Sequence, residues 1–137
     1  MKNRKKNIKL SALIVAHNEE KKLYSCLSKI KQVDEVVIIL DKTTDKSKSI
    51  SKNFTKNIYE GSWDLEGERR NFGLKKCTGD WILEIDADEQ VTKELIIEIK
   101  NKITNAEPGY FLIPFDNFIG NKKVRFGWGA SWGVSAA

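Results

Sequence analysis

Three apolar runs in the chain each stop abruptly on polar or acidic residues: "LSALIVA" before "HNEE", "VVIIL" before "DKTTD", and "WILEI" before "DADE". Unbroken runs of this length predict strands covered on both faces, at 10–16, 36–40 and 81–85. Between them the apolar spacing changes to a helical one. Leu23, Leu27 and Ile30, with Cys26 beside them, predict a helix that Asn18 caps, with Glu19 and Glu20 at its positive end. After Asp41 comes a polar turn, "DKTTDKSKS", in which Asp45 is the expected cap of a short helix marked by Ile50 and Phe54. "NIY" reads as a third strand, and residues 65–76 as a weakly periodic helix. Thr92 is expected to cap a helix with apolar face Leu95, Ile96, Ile99 and Ile103, closed by Lys100 and Lys102. Tyr110 to Phe115 predicts a last strand, with Pro114 at an edge or at the strand's end. The tail "GNKKVRFGWGASWGVSAA" receives no assignment.

Strands alternating with helices predict an α/β fold, a mainly parallel sheet flanked by helices. No repeat and no dividing linker is visible, so a basic tail, 1–8, is expected before one domain, 9–137. In such sheets ligands bind beyond the carboxyl ends of the strands. Those ends carry the polar and acidic residues here, with Asp at the last strand position twice, Asp41 and Asp86.

Composition narrows the partners. At 137 residues, 40% hydrophobic and 31% charged, the chain can bury one core and is not of a disordered type. The net charge is +5, part of it in the opening "MKNRKKNIK". That opening reads either as a solvated tail or as weak attraction to an anionic membrane surface or phosphate-bearing substrates. The two cysteines, Cys26 and Cys77, lack metal-ligand spacing and are expected to be reduced thiols. No run approaches the roughly 18 apolar residues that span a bilayer, and the default expectation is a cytoplasmic location. The convergent acids argue against nucleic acid, whose backbone needs a basic stripe.

Asp86 and Asp88 flank Ala87. Alternate residues at a strand end point the same way, so both carboxylates can face one space. Two hard oxygen ligands with room for water and phosphate suit Mg2+ or Mn2+ better than zinc. The competing reading is a solvent-facing acidic turn before a helix. Glu84 alternates with Asp86 and either faces the same cleft or pairs with a lysine. Two carboxylates one residue apart do not straddle a sugar ring, which excludes a glycosidase. A nucleotidyltransferase is expected to show a glycine-rich loop after the first strand, and "HNEEKK" has none.

Taken in order, "LIVAHNEE", "VVIILDKTTDKS" and "GERRNFGLKKCTGDWILEIDADEQVT" resemble the nucleotide-sugar-binding half of an inverting family 2 glycosyltransferase of the GT-A fold. The likeness is greatest to the bacterial lipopolysaccharide-core β-glucosyltransferase branch and runs from about residue 9 to about residue 91. The resemblance implies that Ala16, His17, Asn18 and Glu19 lie beside the nucleotide base, with His17 in place of the usual aromatic. It implies that Asp41 hydrogen-bonds the base and that Arg70 and Asn71 line the nucleotide pocket. Asp86 then lies near the ribose, and Asp88 on a divalent metal bridging the diphosphate. His17 also reads as a packed or exposed loop residue, and Arg69 with Arg70 as a solvated helix face. The implied partners are a nucleoside-diphosphate sugar, most readily UDP-linked, and a saccharide or lipid-linked acceptor, with peripheral contact at the cytoplasmic membrane face.

Family domains run well past 200 residues and place a general base after the metal motif. Asp116 is the only acid beyond Glu107 and is not assigned that role. The catalytic base is therefore unassigned, and a C-terminally truncated chain with an incomplete acceptor half is the expectation. A non-catalytic nucleotide-sugar-binding fragment is the alternative to a transferase. Phe126, Trp128 and Trp132 read either as an acceptor-site lining or as core.

Overall fold

The computed structural model describes residues 7–114, together with the backbone of 118–119, 122–123 and 133–136. Four strands, β1 (Leu10–Ala16), β2 (Glu35–Asp41), β3 (Ile58–Gly61) and β4 (Trp81–Asp86), form one sheet in the order β3-β2-β1-β4. Every pairing is parallel, as the unbroken apolar runs predict. β1 is central and buried at all seven positions. Each fully buried Leu or Ile there contributes about 1.5–3 kcal/mol relative to exposure.

The connections are helical: α1 (Glu20–Ser28), α2 (Ser47–Ser51) and α3 (Glu66–Lys76), with α4 (Lys93–Ile103) after β4. β1 to β2 and β2 to β3 step the same way across the sheet, so right-handed crossovers put α1 and α2 on one face. They pack side by side there. β3 to β4 steps back past both neighbours, which puts α3 on the other face. That face holds a core of Leu13, Val15, Val37 and Ile39, covered by Phe72, Leu74 and Trp63 among others. α3 can approach closely because Gly73 has no side chain; a Cβ there would lie 2.7 Å from Leu13 Cδ1 and 3.0 Å from Ile39 Cγ1. Thr92 caps α4, its hydroxyl accepting from Leu95 N, while Ile96 and Ile103 are buried.

The amino ends of the strands are fastened by Glu35. It accepts from the Thr78 amide and hydroxyl, Ser11 Oγ and Lys9 Nζ, so β1, β2 and the entry to β4 share one carboxylate. Burial alone would raise its pKa, but these donors outweigh it and take it from 4.5 to about 2. Gly79 closes the same corner: its N–H donates to Ser11 Oγ at 2.9 Å, and a Cβ would sit 2.8 Å from Ser11 N.

The chain divides into two compact units, residues 1–107 and 108–137, where the sequence shows no dividing linker. In the second, β5 (Phe111–Pro114) pairs antiparallel with β8 (Gly133–Ala136), and β6 (Phe118–Ile119) with β7 (Lys122–Lys123). Pro114 is the last residue of β5. Residues 1–6, Asp116, Phe126, Trp128 and Trp132 lie outside the described residues. Among the described residues no helix is long and apolar enough to cross a membrane.

Candidate functional site

Four parallel strands deliver their carboxyl ends to one edge of the sheet. The register sets Val15 opposite both Ile39 and Asp86, and Ala16 opposite Leu40, so His17, Asp41 and Asp86 follow on neighbouring strands. Ala16 is buried and His17 exposed. His17 Nδ1 lies 2.8 Å from the Asp41 carbonyl oxygen, tying the first loop to the second.

Asn18 does not cap α1, contrary to the sequence expectation. It adopts a left-handed backbone, φ 50°, which turns its amide onto the second loop. Its Oδ1 accepts from Thr44 N at 2.8 Å and Asp45 N at 3.3 Å. The donors at the start of α1 are met from across the gap instead. Asp45 Oδ2 accepts from Glu20 N, and Ser47 Oγ from Glu19 N. Glu20 Oε2 in turn accepts from Lys46 N. Asp45 also serves the start of α2, accepting from Ser47 N as expected. Asn18 thus spends its side chain, and Glu19 its amide, on a clasp between two loops.

Asp41 is buried, its side chain 9% exposed. Oδ1 accepts from Trp63 N at 3.1 Å and Oδ2 from Arg69 Nη1 at 2.9 Å. Burial opposes its ionisation, but the Trp63 amide and the Arg69 guanidinium prevail and hold its pKa below the usual carboxylate value. The carboxylate is therefore fixed and charged, with lone pairs left for a further N–H donor. Arg69 Nε is buried and has no hydrogen-bond partner among the described residues.

Arg70 turns elsewhere, because successive helix residues are about 100° apart. Its Nε and Nη2 grip Glu66 Oε1 at 3.0 and 2.9 Å, Nη2 reaches Asp86 Oδ1 at 3.2 Å, and Nη1 lies 3.8 Å from Glu84. Glu84 thus faces the same side as Asp86 and meets an arginine rather than a lysine. Asn71, one step further round α3, is exposed and joins neither cluster. Arg69, the partner of Asp41, is the residue the sequence did not single out. In a helix whose only buried residue is Gly73, nothing in the spacing separates two adjacent arginines.

Asp86 and Asp88 are both exposed, and Ala87 between them is buried. Glu89 closes the turn: its Oε2 accepts from Asp86 N and its own N–H donates to Asp86 O, both at 2.9 Å. Behind the turn, Cys26 Sγ contacts Asp86 O at 3.9 Å. Burial, then the charges of Glu89, Asp88 and Asp86, push its thiol up to about 11. It is a neutral thiol at pH 7. Both cysteines are free.

Among the described residues, no three His, Cys, Asp or Glu side chains gather to hold an ion. Two exposed carboxylates at one turn are nevertheless the donor set that Mg2+ or Mn2+ takes when substrate phosphates and water complete the shell. The residues present fit a metal of that kind.

The family profile described as Glycosyl transferase family 2 matches residues 11–128. A glycosyltransferase of Rickettsia felis, uncharacterized, is 33% identical over 93 residues, covering 67% of this chain and 33% of that protein. The lipopolysaccharide core biosynthesis glycosyltransferase LpsC of Rhizobium meliloti is 30% identical over 92 residues, covering 63% of this chain and 34% of that one. Among solved structures, glucosyl-3-phosphoglycerate synthase from Mycobacterium tuberculosis, in complex with Mg2+ and uridine diphosphate, superposes with a TM-score of 0.63 at 18% identity. It covers 73% of this chain and 41% of that one, and so speaks for the fold alone. The chain spans about a third of the length of the curated relatives it matches. The sheet order, the strand-end acids and the profile match agree: the chain belongs to glycosyltransferase family 2 and has the parallel, helix-flanked sheet of the GT-A fold.

Proposed function

We propose that this chain is the donor-binding part of a glycosyltransferase that moves a hexose from a nucleoside-diphosphate sugar, UDP-linked, to an acceptor hydroxyl with inversion. One observation carries the reading. Two strand ends of a parallel sheet present a buried, ionised Asp41 and an exposed Asp86–Asp88 pair, with Arg69 and Arg70 of one helix between them. Asp41, held by Arg69, offers its free lone pairs to an N–H of the base. Asp86 and Asp88 are the residues that would hold a divalent cation. Such a cation, when bound, offsets the charge that gathers on a departing diphosphate. Arg70, tethered by Glu66, orients Asp86 beside it.

A saccharide or lipid-linked acceptor of cell-envelope glycan synthesis suits the likeness to LpsC. A donor-binding role without turnover is the second reading, which the exposed Asp86 and Asp88 beside the fixed Asp41 also support. General-base catalysis supplies roughly 10²- to 10⁴-fold, so in the second reading the chain binds donor better than it consumes it. Incubation with UDP-hexose, Mn2+ and an oligosaccharide acceptor separates the two. Release of UDP tied to product supports transfer; donor retention without product supports the binding role. Loss of both refutes the proposal.

A further inference from the structure

Beyond their starts, α1 and α2 carry outward charge of a single sign. α1 and its exit hold Lys21, Lys22, Lys29 and Lys31; α2 and its flanks hold Lys46, Lys48, Lys52 and Lys56. All are exposed, and the stretches 21–32 and 46–57 contain no Asp or Glu. Lys48 pairs with Glu60, and Lys29 donates to Gln90. Of the acids at the helix starts, Glu20 and Asp45 are turned onto backbone N–H groups of the clasp, and Glu19 stands beside them at the start of α1. Within this field Tyr24 stands 59% exposed, edge-on to Phe54 with ring centroids 5.4 Å apart.

We propose that the α1–α2 face docks on an anionic lipid bilayer. Lysine stems lie along apolar surface while their ammonium heads reach outward, and an aromatic with a polar tip suits the headgroup region. The attraction of clustered lysines to anionic headgroups adds residue by residue. The charges are all lysine. Compact, hydrated ammonium groups match the diffuse charge of a lipid surface, whereas nucleic-acid recognition favours the planar arginine fork. Both helices begin at the edge that carries Asp41 and Asp86, so docking this face sets the candidate site beside the membrane. The surface thereby gives the lipid-linked acceptor proposed above a physical setting; lipid binding itself requires no donor and no turnover, so the two readings fail separately.

The test is partition of the full chain onto vesicles of phosphatidylcholine alone and of phosphatidylcholine with about one-third phosphatidylglycerol. Binding to the anionic vesicles only, weakened as salt rises towards about 1 M, is expected. The combined Lys21→Gln, Lys22→Gln, Lys52→Gln and Lys56→Gln variant should lose at least about ten-fold in partition. Arginine at the same four positions should restore it, and circular dichroism should match the parent in both. The proposal is overturned by equal binding to neutral vesicles, by a glutamine variant that binds as the parent does, or by no vesicle binding at all. Capture of polyuridylic acid in preference to the anionic vesicles likewise overturns it.

Discussion

Asp41 and Arg69 form a part-buried pair whose partners come from different elements, and each is the other's answer to burial. Removing one charge leaves the second uncompensated, which costs about 3–5 kcal/mol where burial is complete. Arg69 is 23% exposed, so Arg69→Met should lower stability by about 2–3 kcal/mol in urea unfolding. Asp41 has a lowered pKa in the folded state, so its contribution is present above its ordinary value of 3.8 and lost as pH falls below it. Glu35 follows the same sign over a defined window. Its stabilisation is full above pH 4.5 and disappears as pH falls towards 2. Glu35→Gln should cost on the order of 1–3 kcal/mol at neutral pH and flatten the stability curve across that window. The place of Asp41 at a strand end is visible in the sequence, which also admits it as only a turn starter. Its partner is not, because two adjacent arginines differ only by a rotation of about 100°.

At the level of elements, β1, β2 and β4 were legible because a parallel sheet buries both faces and so writes continuous apolar runs, whereas β7 and β8 fall in a tail the sequence left unassigned. α4 was legible through Thr92 and its apolar stripe. The start of α1 was not. "HNEE" offers a capping residue at the right place, but the left-handed conformation of Asn18 sends its amide across to Thr44 and Asp45. The true caps, Asp45 and Ser47, lie 25 and 28 positions away in sequence from the amides they meet, beyond the reach of any local rule. Asn18→Ala should cost about 1–2 kcal/mol. It should also speed hydrogen exchange at the Thr44 and Asp45 amides while leaving those of β1 unchanged. The Gly79 corner tests the other end of the sheet. Gly79→Ala forces a Cβ against backbone atoms that cannot rotate away, and a fall in melting temperature of several degrees is expected in thermal unfolding of the full chain.

For the molecule as a whole, family and fold follow from a pattern spread over three strand ends rather than from any single motif. Asp-x-Asp alone is as consistent with a solvated turn as with a metal site. What favours the proposed metal site is the setting: a parallel sheet, a charged Asp41 on the next strand but one, and an arginine from α3 already reaching the first carboxylate of the pair. The measurement that bears most directly on the account is calorimetric titration of the full chain with UDP, in Mn2+ and in a chelator. Uptake at least about ten-fold tighter with Mn2+ is expected, with loss of that gain in Asp88→Asn and an unchanged circular dichroism spectrum. Equal affinity with and without Mn2+, or an Asp88→Asn variant that keeps the metal's effect, would contradict it.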